Sequence, residues 1–162
     1  MKSEFTGPSP PKTFAFAEEE TFKEEKAMKT AVRYFSKTGN TKKLALAIAD
    51  AIGVDAQDIS TPLKEPVDVL FLGSAVYAAD IDDAVKQFIS SNKANIGTIY
   101  NFSTAAVASS TYRQVKKVAD AHGIAMAQEE FHCRGAFTIL HRNRPNAEDF
   151  AVAAAFARSI VK

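Results

Sequence analysis

The sequence predicts an α/β fold: a doubly wound, five-stranded parallel sheet with helices on both faces. Three observations carry this. From Thr30 onward, short β-prone apolar stretches alternate with stretches whose apolar residues recur at helical spacing. Alternation of this kind builds a parallel sheet covered on both sides. VDVLFLGS, residues 67–74, is a continuous apolar run of strand length, as expected of a strand buried on both faces. SKTGNT, residues 36–41, crowds three hydroxyl side chains, a glycine and an asparagine into the join between the first strand and the first helix.

Taken in order, TAVRYF (30–35) reads as the first strand. TKKLALAIADAIG (41–53) reads as a helix, with Leu44, Ile48, Ala51 and Ile52 as its stripe and Gly53 as its C-cap. VDAQDI (54–59) is a short, weak strand and residues 67–74 are the third. IDDAVKQFISSN (81–92) is helical, GTIYNFST (97–104) is a strand, and STYRQVKKVADAHG (110–123) is helical with Tyr112, Val115, Val118 and Ala119 on one face. IAMAQEEFHCRGAF (124–137) contains the fifth strand. Pro145 suits the first position of a closing helix that contains AEDFAVAAAFARSIV (147–161). Residues 29–162 therefore form one domain. Residues 1–28 read as a tail or leader, because TGPSPPK holds neither helix nor central strand and AEEETFKEEKAMK has little to bury. Met28 is a candidate original start.

Composition narrows the function classes. The chain has 162 residues, 46% hydrophobic and 24% charged, with a formal net charge of +1. No strong field argues for nucleic acid or a membrane surface. A single cysteine, Cys133, excludes an intrachain disulfide framework and a paired-cysteine metal knuckle. There is no secretory signal and no apolar run of membrane-spanning length, so the expected location is the cytoplasm. Cys133 reads as a small core residue, His122 as a residue near a helix C-terminus, and His132 and His141 lack metal-ligand spacing. Arg134, Arg142 and Arg144 read as solvated surface. No catalytic or metal-binding residue is predicted.

In a doubly wound sheet, ligands sit beyond the carboxyl ends of the strands where strand order reverses. SKTGNT forms one wall of that crevice. Successive N–H groups in a tight glycine-containing turn make an anion nest, and the following helix adds its positive end. The hydroxyls of Ser36, Thr38 and Thr41 add donors, and Lys37 needs only to face solvent. Neither G-x-x-x-x-G-K-[ST] nor G-x-G-x-x-G is present. A turn that merely caps the helix would use Asn40 or Thr41 and would leave the rest of the set unexplained. The reading is a phosphate site.

SKTGNT also matches every fixed position of [ST]-x-T-G-x-T, and with it the chain resembles the flavodoxin family from about Thr30 to Lys162. DVLFLGSAVY is similar to that family's third strand and second flavin loop. FHCRGAF and RPNAEDFAVAAAFARSI are similar to the ending of small flavodoxin-like proteins. The resemblance implies strand order 2-1-3-4-5 and noncovalent FMN. It places the phosphate on Ser36, Lys37, Thr38, Gly39, Asn40 and Thr41. It assigns a second wall to Ser74, Ala75, Val76, Tyr77 and Ala78, with Tyr77 either against the inner flavin face or packed under the loop, and with backbone at Ala78, Ala79 and Asp80 near flavin N5. Alanine resists positive φ, which argues against a peptide flip at that turn. A third wall falls to Ser103, Thr104 and Ala105, followed by Ala106, Val107 and Ala108 where many members carry a large aromatic. Tyr112 lies later, at a buried helix position.

Two functions follow from the resemblance. One is an electron carrier, a monomer or weak homodimer, that meets redox partner proteins at the exposed flavin edge. The other is a small FMN-dependent reductase acting on quinones or similar acceptors. The 29 residues before Thr30 hold five of the 20 basic and six of the 19 acidic residues, leaving 15 against 13 in the domain. A surround this neutral predicts a less negative couple for the reduced flavin anion than in acidic family members.

Overall fold

The computed structural model describes residues 27–77, 79–105, 110–135 and 143–161. Five strands form one sheet: β1 (Thr30–Tyr34), β2 (Ala56–Asp58), β3 (Val67–Ala75), β4 (Ile96–Ala105) and β5 (Ala125–Arg134). All are parallel, in the order β2-β1-β3-β4-β5. The helices are α1 (Asn40–Ile52), α2 (Asp83–Ser91), α3 (Tyr112–Ala121) and α4 (Ala147–Ile160). Fold class and strand order are those expected. The reading of residues 1–28 as a tail falls almost wholly outside the described residues.

The two-residue period of the strands divides the core. Val32, Phe71, Phe102, Phe131 and Cys133 face one side and pack with Leu44, Ile48, Ala153 and Ala157 of α1 and α4. Leu70, Leu72 and Ile99 face the other side and pack with Val85, Phe88, Ile89, Val115 and Ala119 of α2 and α3. The fully buried apolar residues of α1 are Leu44, Ala45, Ile48 and Ala49, because α1 is covered by both the sheet and α4, and the expected Ile52 packs half-buried at the edge of the same cluster. A side chain at Gly73 would overlap the Phe102 ring, which lies over the glycine from the neighbouring strand.

The crossover from β2 to β3 contains no helix. Residues 59–66 cover the sheet directly, and Leu63 is buried among the α2 and α3 residues. Such a segment carries carbonyls with no ladder to enter. Arg33, buried on β1, supplies the donors: Nε to the Thr61 carbonyl at 2.9 Å, Nη2 to Pro62 at 3.3 Å and Nη1 to Val32 at 3.1 Å. Burial pulls its pKa below the ordinary arginine value. Asn92 accepts the Leu63 N–H at 2.9 Å, and Asn95 donates to the Leu63 carbonyl at 3.1 Å.

Pro145 lies outside the last helix, not at its first position. Asn146 is the N-cap, preceded by a cis Arg144–Pro145 peptide. Asn146 Oδ1 accepts the Asp149 N–H at 3.0 Å, and Asp149 accepts the Asn146 N–H at 2.8 Å. This reciprocal cap sets the helix start two residues after the proline. Arg144 binds Asp149 in bidentate fashion, both contacts at 2.6 Å, and so is not free surface charge.

Candidate functional site

The carboxyl ends of β1 and β3 lie side by side, and β1 then leads into α1. Phe35 N–H donates to the Gly73 carbonyl at 3.0 Å, which holds the chain to the sheet one residue past β1. The loop then closes on itself: Ser36 Oγ accepts the Gly39 N–H at 3.0 Å. Gly39 has φ +93°, in the region that L side chains avoid, and open space lies where a Cβ would stand.

Gly39, not Asn40 or Thr41, is the N-cap of α1, and no side chain caps this helix. Asn40 and Thr41 sit in the first turn and are buried. Thr41 Oγ1 lies 2.9 Å from Thr104 Oγ1, tying the first loop to the end of β4. Gly135 packs against Asn40 and Thr104, and a Cβ there would lie tightly at 3.1 Å from Asn40 Nδ2 and 3.2 Å from Thr104 Cβ. Thr38 is exposed, and its hydroxyl has no partner among the described residues.

Lys37 does not simply face solvent. Its ammonium lies 4.4 Å over the Tyr77 ring and 3.4 Å from the Asp82 carboxylate. Its N–H donates to the Tyr77 hydroxyl at 3.3 Å. Tyr77 also meets Phe35 edge to face, ring centroids 6.4 Å apart. The aromatic of the second loop therefore rests on the first loop, engaged on both its ring and its hydroxyl.

The second loop is a tight turn. Tyr77 N–H donates to the Asp80 carbonyl at 2.7 Å and Asp80 N–H returns to Tyr77 at 3.1 Å. Ala79 has φ +71°. Alanine thus occupies the left-handed region it was expected to resist, because the reciprocal bonds on either side close the turn around it. Lys86 holds the Asp80 carboxylate at 2.7 Å, and this bond, with the Ile81 N–H, keeps its pKa below the usual range. Ala78 lies outside the described residues, as do Ala106, Val107, Ala108, His141 and Arg142.

Beneath the loops lies a buried polar network absent from the sequence expectations. Ser74 donates to Thr111 Oγ1 at 3.0 Å, and Asn101 Nδ2 donates to the same oxygen at 3.1 Å. Ser103 Oγ accepts the Thr111 N–H at 3.3 Å and lies 3.1 Å from His132 Nδ1. Ser74, Asn101, Ser103 and Thr111 are all fully buried. Their hydroxyls and amide therefore hold β3, β4, β5 and the start of α3 together. Burial lowers the His132 pKa, with Arg134 adding to the effect and Glu130 opposing it. The available signal was Asn101 in the middle of a strand, but no sequence pattern linked it to Thr111 or His132. Val76 is half-buried, and Ala75 and Ala105 are buried at the strand ends. Tyr112 is half-buried and donates to the Ala127 carbonyl at 3.0 Å, on the irregular stretch of β5 where register with β4 shifts.

Burial pushes the Cys133 thiol up to about 12, so it remains protonated and inert. Among the described residues no group of three His, Cys, Asp or Glu side chains is placed to hold a metal, and no helix is long and apolar enough to cross a membrane. The site offers the uncapped positive end of α1, hydroxyl donors at Ser36 and Thr38, and a turn of exposed backbone beside an aromatic ring. That donor set suits an anion bonded to a flat, partly apolar group.

A family model described as flavodoxin domain matches residues 31–136. The chain is 28% identical over 137 residues to an uncharacterized protein of Methanocaldococcus jannaschii, covering 76% of this chain and 91% of the relative. Among solved structures, a flavodoxin from the domain Archaea superposes with a TM-score of 0.65 at 15% identity, over 83% of this chain and 96% of that one. Oxidised flavodoxin 1 from Bacillus cereus superposes with a TM-score of 0.63 at 20% identity, over 82% and 96%. Rubredoxin oxygen:oxidoreductase from Desulfovibrio gigas superposes with a TM-score of 0.64 at 16% identity, over 92% of this chain but 39% of that one.

Proposed function

This chain belongs to the flavodoxin family, and from that premise we propose that it binds FMN and carries electrons between protein partners in the cytoplasm. One observation carries the reading. The first turn of α1 is left without a side-chain cap, behind a left-handed glycine, at the point where strand order reverses. The helix at the other end of the chain is doubly capped by its own side chains. An uncapped turn ringed by Ser36 and Thr38 fits the phosphate of FMN.

Ser36, Thr38, Gly39, Asn40 and Thr41 would hold that phosphate through hydroxyl and N–H donors, with the Lys37 N–H shared with Tyr77. Tyr77 and the backbone of Ala79 and Asp80 would border the ring. When bound, FMN supplies one- and two-electron redox chemistry. The chain's own contribution is placement. The Thr41–Thr104 bond fixes the first loop against β4, and the Ser74–Thr111–Ser103 network fixes the floor.

Titration of the apoprotein, followed by flavin fluorescence, tests the reading. FMN should bind, and riboflavin, which lacks the phosphate, at least about tenfold more weakly. Thr38→Ala should weaken FMN by about 1–3 kcal/mol without altering stability, since its hydroxyl serves no protein partner. Equal affinity for FMN and riboflavin would overturn the phosphate assignment. Steady NADPH oxidation by the FMN-loaded protein alone would replace the carrier with the reductase.

A further inference from the structure

A groove of about 490 Å³ runs between α2 and α3, lined by Asp80, Lys86, Arg113, Gln114, Lys117 and Val118. Its charge is lopsided, with three cations against one carboxylate. Lys86 is neutralised by Asp80 at 2.7 Å and by Asp83 at 3.7 Å. On α3, Lys116 is neutralised by Asp120 at 2.8 Å. Arg113 has no such partner among the described residues, and Lys117 has only a longer-range attraction to Asp80. Both are exposed, they stand one helical turn apart, and among the described residues no carboxylate lies within 4 Å of either. Like charges at this spacing oppose each other on an isolated helix. An incoming anion would relieve that opposition.

The groove also touches the candidate site. Asp80 is the residue that closes the turn on Tyr77, and Gln114 Nε2 reaches the Ala79 carbonyl at 3.5 Å. An occupant of the groove therefore contacts the loop that borders the cofactor position.

We infer that the α2–α3 groove is the docking surface for an acidic segment of the redox partner, read by Arg113 and Lys117. The inference rests on the carrier reading for the identity of the partner, while the surface itself is defined without flavin. Charge complementarity selects the partner by encounter rate and orientation more than by raw affinity, so the contact is weak and salt-sensitive.

The test uses the full chain and a fluorescein-labelled peptide of ten glutamates, followed by anisotropy, with a ten-lysine peptide and a ten-nucleotide RNA as comparisons. The glutamate peptide should bind about tenfold or more tightly than the lysine peptide, and binding should fall about tenfold between 20 and 200 mM salt. R113E/K117E should lose binding by at least about tenfold, and the neutral R113Q/K117Q should lose part of it. K42E/K43E, on the exposed face of α1, should leave it unchanged and so separate the groove from general charge. Equal binding of both peptides, equal loss in K42E/K43E, or tighter binding of the RNA overturns the proposal. FMN titration of the same preparation reports the carrier reading separately. Loss of FMN binding with groove-specific peptide binding retained would remove the electron carrier and leave the docking surface.

Discussion

Ala79 shows how a single residue records the demands of its turn. Its φ of +71° costs an alanine about 1–2 kcal/mol, and its side chain is exposed. Ala79→Gly removes that strain but adds freedom to the unfolded chain, worth about 0.4–1 kcal/mol in the other direction. The expected net effect is a gain of about 0.5–1 kcal/mol in urea unfolding. A loss would show that the alanine methyl makes a contact the turn needs. His132 makes a second residue-scale prediction. Its folded pKa lies below the ordinary 6.5, through burial first and Arg134 second. As pH falls, the unfolded chain therefore takes up the proton first. The stability tied to the neutral ring is present above about pH 6.5 and is lost as pH falls below it toward the folded value. His132→Gln should flatten the decline in urea midpoint between pH 7.5 and 5.5. An unchanged slope would move the effect to other groups.

The two ends of the fold treat their helices differently. At α4, Asn146, Asp149 and Arg144 satisfy the first turn from within, while at α1 no side chain caps the first turn. The same economy of donors governs the crossover from β2 to β3, where Arg33 serves two carbonyls of a segment that has no helix to satisfy them. Arg33→Met keeps much of the volume and removes the donors. It should destabilise the fold by about 1–2 kcal/mol, because the half-buried carbonyls at residues 61 and 62 lose their partners. Chemical denaturation reads this directly, and a neutral result would mean that water reaches the segment. The helices, the strands and the SKTGNT loop were legible because each follows from local spacing. The missing N-cap side chain at α1 was not, since Asn40 and Thr41 are good capping residues that the fold draws into the first turn toward Thr104 and Gly135.

For the molecule as a whole, both core faces among the described residues are built from residues 31–161. Removing residues 1–26 should therefore leave cooperative unfolding and FMN affinity unchanged within error. A broadened transition in the truncated chain would make that segment part of the domain. The neutral charge of the domain and the cations of α3 point the same way. Both leave an acidic partner surface unopposed, unlike the strongly negative surface expected of an acidic carrier.

By itself the sequence determined the α/β class, the order of strands and helices along the chain, and the loop that bears the hydroxyls. Hydrophobic period and turn chemistry are local, and each element reports them within about a dozen residues. The ordering of strands across the sheet came from the family resemblance and was confirmed by the fold. Tertiary structure alone decided which hydroxyls remain available. Ser74, Ser103 and Thr104 were all candidates for the cofactor, yet their oxygens meet Thr111, His132 and Thr41 across separations of 37, 29 and 63 residues. It also decided that Tyr77 rests on Lys37, 40 residues earlier. Such pairings follow from which strand ends the parallel sheet brings together, and a buried hydroxyl takes the nearest partner that the packing presents.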